Sequence, residues 1–78
     1  MAQKAHTLIE APEDRNLKVI SILGGAGSVS RLHNLGIFEG VILKKKKGAF
    51  RGPVVVEVKG ATVALGRGMA FKIEVTGE

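Results

Sequence analysis

Beyond Asn16, apolar residues come in short runs cut by glycine, and the rhythm of each run names an element. Lys18-Val19-Ile20-Ser21-Ile22-Leu23 is almost continuously apolar and closes on Gly24-Gly25, which predicts a strand covered on both faces. Over residues 29–35 the period lengthens. Val29, Leu32 and Leu35 recur every three residues while Arg31 and Asn34 fall off the stripe, the pattern of two helical turns with one apolar side. Ser28 is the expected N-cap, since its hydroxyl can accept from the unpaired amides of the first turn. Gly36 stands where a left-handed residue ends a helix, so that Ile37 can fold back onto Leu32.

After the turn at Glu39-Gly40 the chain alternates. Val41, Leu43 and Lys45 share one face, and Ile42, Lys44 and Lys46 the other. Residues 48–53, with two glycines and Pro53, read as a loop. Val54, Val56 and Val58 then point inward, against outward Val55, Glu57 and Lys59. Gly60-Ala61 makes a tight connection, 62–65 a short strand, and 66–69 a bend or single helical turn. Phe71, Ile73 and Val75 are expected to close the domain, with Lys72, Glu74 and Thr76 outside. Five short strands and one short helix make a mainly β chain, and such a meander hides its edges by closing into a small barrel. Residues 1–15 are polar and aperiodic and are expected to form a flexible tail, leaving 16–76 as the barrel.

Composition narrows the chemistry. A chain of 78 residues holds one small core. With no cysteine, disulfides, thiolate zinc sites and iron–sulfur clusters are excluded. No apolar run approaches the roughly 18 residues of a membrane span, and the first ten residues lack a signal-peptide core, so a cytoplasmic protein is expected. Twelve basic side chains against seven acidic leave a net charge of +5. That balance first suggests nucleic acid, but three phenylalanines offer little for base stacking. Lys44 to Lys47 would place two ammonium groups on each face of a strand. They read either as a solvated strand end that deters edge pairing or as a docking surface for an acidic partner or an anionic lipid leaflet.

Enzyme signals are weak. Ser30 and His33 share a helix side, but no third group orients the histidine. Gly24-Gly25-Ala26-Gly27-Ser28 leads into a helix without the lysine and spacing of a phosphate loop. Metal donors are limited to His6, His33, Asp14 and the glutamates, which show no ligand spacing. No catalytic residue, cofactor or resident metal site is expected.

At this point the residues carry a family. Arg31-Leu32-His33-Asn34-Leu35-Gly36-Ile37-Phe38-Glu39-Gly40 resembles the FeoA pattern R-L-x-x-L-G-[IL]-x-[PE]-G. Gly52-Pro53-Val54-Val55-Val56-Glu57-Val58-Lys59-Gly60 and Val63-Ala64-Leu65-Gly66-Arg67-Gly68-Met69-Ala70 resemble its two following blocks, and Lys72 to Val75 its closing K-I-x-V. Each block is mostly turn glycine and core aliphatic; their order and spacing carry the specificity. The sequence departs from the family in having Asp14-Arg15-Asn16 where Pro-Gly often precedes the first strand.

The resemblance implies an SH3-like five-stranded barrel with a short helical insertion after the first strand. It also implies a cytosolic accessory protein of ferrous iron uptake that works with a FeoB-type membrane transporter. The same domain occurs fused to iron- and manganese-dependent repressors of the DtxR type, and without their helix-turn-helix the free-standing form is expected here. A non-enzymatic docking module is therefore expected, with Arg31, Leu32, Leu35, Ile37, Phe38, Lys44, Lys46, Arg51 and Arg67 as candidate partner-binding residues. Self-association and peripheral contact with the inner face of the membrane are further expectations. Two other readings stand beside it: a small basic barrel binding RNA or ribosomal surfaces, and a GTPase activator using Arg67.

Overall fold

The computed structural model describes residues 5–48 and 50–77. The chain runs β1 (His6–Thr7), β2 (Asn16–Ile22), α1 (Ala26–Asn34), β3 (Ile42–Lys47), β4 (Val54–Val58), β5 (Ala61–Leu65), α2 (Arg67–Ala70) and β6 (Ile73–Gly77). All pairings are antiparallel, in the order β1-β6-β2-β3-β4-β5. The sheet curls round a single core to which every strand from β2 to β6 contributes: Leu17 and Val19, Leu43, Val54, Val56 and Val58, Leu65, Ile73 and Val75. The result is an SH3-like barrel.

Two β-bulges help the sheet to curl, one between Val19 and Ser21 and one between Lys45 and Lys47. The second changes the expected facing of the lysines. Alternation holds through Lys45, which is fully buried, and then breaks, leaving Lys46 and Lys47 both exposed. The expectation of two ammonium groups on each face is corrected accordingly.

Three further expectations change. The helix starts earlier, at Ala26, with Gly25 at the cap position and no side-chain cap; Ser28 lies inside it, its hydroxyl accepting from Lys72 Nζ at 3.2 Å. Its end is as expected. Gly36 has φ 86°, Gly36 N–H donates to the His33 carbonyl at 3.0 Å, and Ile37 N–H to that of Leu32 at 2.9 Å, the paired bonds of a Schellman motif. Phe71 does not point into the core. It follows the single turn of α2 and is 63% exposed.

The third change concerns the N-terminal segment. Residues 1–4 lie outside the described residues, but 5–15 are built into the barrel. Leu8 N–H donates to the Ile73 carbonyl at 2.8 Å, β1 pairs with β6, and Leu8 and Ala11 are core residues. A sixth strand is therefore added to the five expected. At two residues, β1 is too short to show a period in the sequence.

Candidate docking surface

The outward features of the barrel are built at two connections. At the first, the chain leaves α1 through its Schellman turn and exposes Leu35 and Phe38 on either side of buried Ile37. The β4–β5 hairpin approaches from elsewhere in the sequence. Its two-residue turn, Lys59-Gly60, has φ 51° and 81°, both left-handed as a type I′ hairpin requires. That turn places Lys59 Nζ 4.5 Å from the centroid of the Phe38 ring, a cation–π contact. His33 forms a T-shaped pair with the same ring, with centroids 6.3 Å apart and planes at 88°. Phe38 is thus held in place while 37% of its surface stays exposed. A shallow groove beside it is lined by Ile22, Val29, His33, Phe38 and Glu39.

The other candidate residues divide clearly. Leu32 and Ile37 are fully buried; they form the support beneath this surface and offer a partner no area. Arg31 is exposed on α1, lining a separate groove with Gly27, Ser28 and Met69. Lys44 is half-buried and stands opposite Glu57 on β4 and Asn16 on β2. Lys46 Nζ lies 3.4 Å from Asp14 Oδ1. Both positions have acidic company within the barrel, which reduces the charge they can offer outward.

The second connection is the β3–β4 loop. Arg67 Nη1 donates to the carbonyls of Gly48 at 2.8 Å and Gly52 at 3.3 Å, so its guanidinium closes the base of the loop. Arg51 is exposed on the loop beside Phe50, which is 94% exposed. Sequence reasoning passed over Phe50 because a lone aromatic within a glycine loop has no periodic partner.

Lys45 is the other residue whose partners could not be read locally. Its Nζ donates to the carbonyls of Ile9 at 2.7 Å and Ala11 at 3.0 Å, pinning the N-terminal segment over the barrel. Burial pushes its pKa below 10.5, the Glu13 carboxylate opposes that shift, and the Arg67 guanidinium adds to it. Among the described residues, no three His, Asp or Glu side chains converge as a metal site requires. No helix among them is long and apolar enough to cross a membrane.

A curled antiparallel sheet with a helix inserted between β2 and β3 defines the class: a small SH3-like barrel that presents side chains at its connections. A family model described as the FeoA domain matches residues 6–77, and the chain belongs to that family. A protein of Methanocaldococcus jannaschii with the provisional name Fe(2+) transport protein A is 39% identical over 70 residues, covering 90% of this chain and 84% of its own. The crystal structure of an iron uptake regulatory protein, FeoA, matches with a TM-score of 0.86 at 25% identity, over 96% of this chain and 99% of that one. A manganese-dependent transcriptional repressor carries the same fold over 44% of its length, with a TM-score of 0.87 at 22% identity and all of this chain covered.

Proposed function

We propose that this chain is a non-enzymatic accessory module of ferrous iron uptake that docks on the cytosolic part of a FeoB-type membrane transporter through the surface around Leu35 and Phe38. Membership of the FeoA family and the name of the Methanocaldococcus relative support the process. The observation that carries the docking reading is Phe38 itself. It is partly exposed, yet its ring is in contact with both the His33 imidazole and the ammonium of Lys59. An aromatic side chain fixed in advance loses little conformational freedom when a partner covers it, which favours it as an interface anchor. Lys59 brings positive charge to this side of the barrel and would steer it towards an acidic rim.

The test is a titration of the purified chain against the transporter's soluble cytosolic domain and against the full-length transporter, at low salt, with and without guanine nucleotide. Saturable binding that weakens in Phe38→Ser and in Lys59→Ala supports the reading. Absence of binding to both forms of the transporter under every nucleotide condition would sink it.

A further inference from the structure

The β3–β4 loop carries a feature that transporter docking at Phe38 does not use. Phe50 is the most exposed of the large apolar side chains among the described residues, at 94%. A phenylalanine left in water at a loop tip forgoes the burial that the same side chain could gain elsewhere. Its neighbours are cationic: Lys47 and Arg51 line the same shallow depression, and both are exposed. The carboxylate at that depression is Glu13, whose charge acts on the buried ammonium of Lys45.

The loop is also held at its base. Arg67 Nη1 bonds the carbonyls of Gly48 and Gly52, which ties both ends of the loop to α2. Gly48 is buried, and a Cβ there would lie 2.7 Å from the Val54 backbone, so the loop packs tightly where it leaves the sheet. An apolar tip on a braced stem, flanked by cations, in a chain of net charge +5, suits a surface that is anionic outside and apolar a few ångströms below.

We propose that the β3–β4 loop is a lipid-contacting tip: Phe50 enters the interface of an anionic bilayer while Lys47 and Arg51 meet the headgroup phosphates. The contact is with lipid alone and does not depend on the transporter. It would set the orientation of the barrel at a membrane without a spanning helix. One aromatic ring and two cations give a weak, reversible association that acts as a supplement to a second contact.

The test uses vesicles that contain no protein. The full chain is co-sedimented with phosphatidylglycerol-rich vesicles and with phosphatidylcholine vesicles at low and at high salt. Expected are binding to the anionic vesicles only, its loss at high salt, and a fall in partitioning of about tenfold in Phe50→Ser. Arg51→Glu should also weaken binding. The chain has no tryptophan, so Phe50→Trp gives a single fluorophore. Its emission should shift to the blue on anionic vesicles and be quenched by brominated acyl chains. Phe50 and Arg51 are exposed, and circular dichroism of each variant checks that the barrel is kept. No binding to anionic vesicles overturns the proposal, as does binding that Phe50→Ser leaves unchanged. So does a Phe50→Ser defect seen only in capture of the transporter's soluble domain, which would assign the tip to a protein pocket. The vesicle outcomes do not bear on docking through Phe38.

Discussion

The ammonium of Lys45 donates to the carbonyl of Ile9 at 2.7 Å, joining a strand of the barrel to a segment 36 residues earlier in the chain. A second bond, to Ala11 at 3.0 Å, makes the side chain a two-point clasp on the N-terminal segment. Both acceptors are backbone carbonyls outside the strands, and the fully buried side chain stands in register with Val56 of β4. Lys45→Met would keep most of that volume and remove the clasp. It is expected to lower stability by about 1–3 kcal/mol, because two acceptors lose a charged donor. Urea denaturation measures the loss. Amide exchange should localise it: the protection of Leu8, Ala11 and Asp14, whose N–H groups bond Ile73, Thr7 and Lys45, falls before that of the β3–β4 pairing.

The same burial makes stability depend on pH. The folded-state pKa of Lys45 is lowered from 10.5, so in the window below 10.5 the unfolded chain binds more protons at this site than the folded one. Stability from this group is therefore fully present above 10.5 and is lost as pH falls through the lowered folded value. The neutral amine still donates to both carbonyls, so the clasp survives deprotonation. Urea midpoints measured from neutral pH upward should show the advantage of the native chain over Lys45→Met widening as pH rises. Other lysines titrate in both proteins and cancel in the difference.

How much of this was legible follows from distance along the chain. Val54, Val56 and Val58 were placed inward by alternation, and the Gly36–Ile37 helix end by local turn chemistry; both are found as expected. Alternation also put Lys45 on one face with Val41 and Leu43, the face that the structure buries. What sequence could not supply was its partners, two carbonyls in a segment without periodicity. The bulge after Lys45 has no residue signature of its own, so Lys46 and Lys47 were assigned to opposite faces. At the candidate docking surface Phe38 was named from its neighbours in the motif, but its contact with Lys59 depends on a hairpin folding back from β4. Leu32 and Ile37, equally apolar and in the same motif, are the buried counterparts of Leu35 and Phe38, and only the packing of α1 on the sheet separates them.

Glycines 36 and 48 offer a controlled contrast, since both have positive φ but differ in surroundings. At Gly36, φ is 86° and a Cβ meets nothing within 4 Å. At Gly48, φ is 113° and a Cβ would stand 2.7 Å from Val54 Cα and 2.9 Å from the Pro53 carbonyl oxygen. Gly36→Ala is expected to cost about 1–2 kcal/mol, the strain of a left-handed alanine. Gly48→Ala should cost about 3 kcal/mol or more, because backbone must shift as well. Thermal unfolding of the two variants checks the order.

Arg67 is predicted to act as a brace. Arg67→Ala removes the donor to Gly48 and Gly52 and is expected to cost about 1–3 kcal/mol, as hydrogen bonds from a charged group do. Faster amide exchange should appear first at Gly48 and in residues 50–52. Arg67→Lys should restore only part of the loss, since one ammonium cannot reproduce the guanidinium fork. If Arg67 acted instead in trans on nucleotide hydrolysis, Arg67→Ala would abolish any stimulation of the transporter's GTPase while leaving the loop unchanged.

Leu32 and Leu35 separate stability from docking within one turn of chain. Leu32 is fully buried under α1, and Leu32→Ala should cost about 2–5 kcal/mol through lost burial and a cavity. Leu35 is 40% exposed, so Leu35→Ala should cost less than about 1 kcal/mol of stability. Their effects on transporter binding should run the other way. Leu35→Ala, still folded, is expected to weaken binding by about tenfold if it lies within the interface centred on Phe38. Leu32→Ala, assayed at a temperature where it remains folded, should bind nearly as the native chain does, because its side chain never reaches the partner. Isothermal titration of the two variants, paired with their unfolding curves, makes the comparison. A Leu35 variant that binds normally would move the docking surface away from the end of α1.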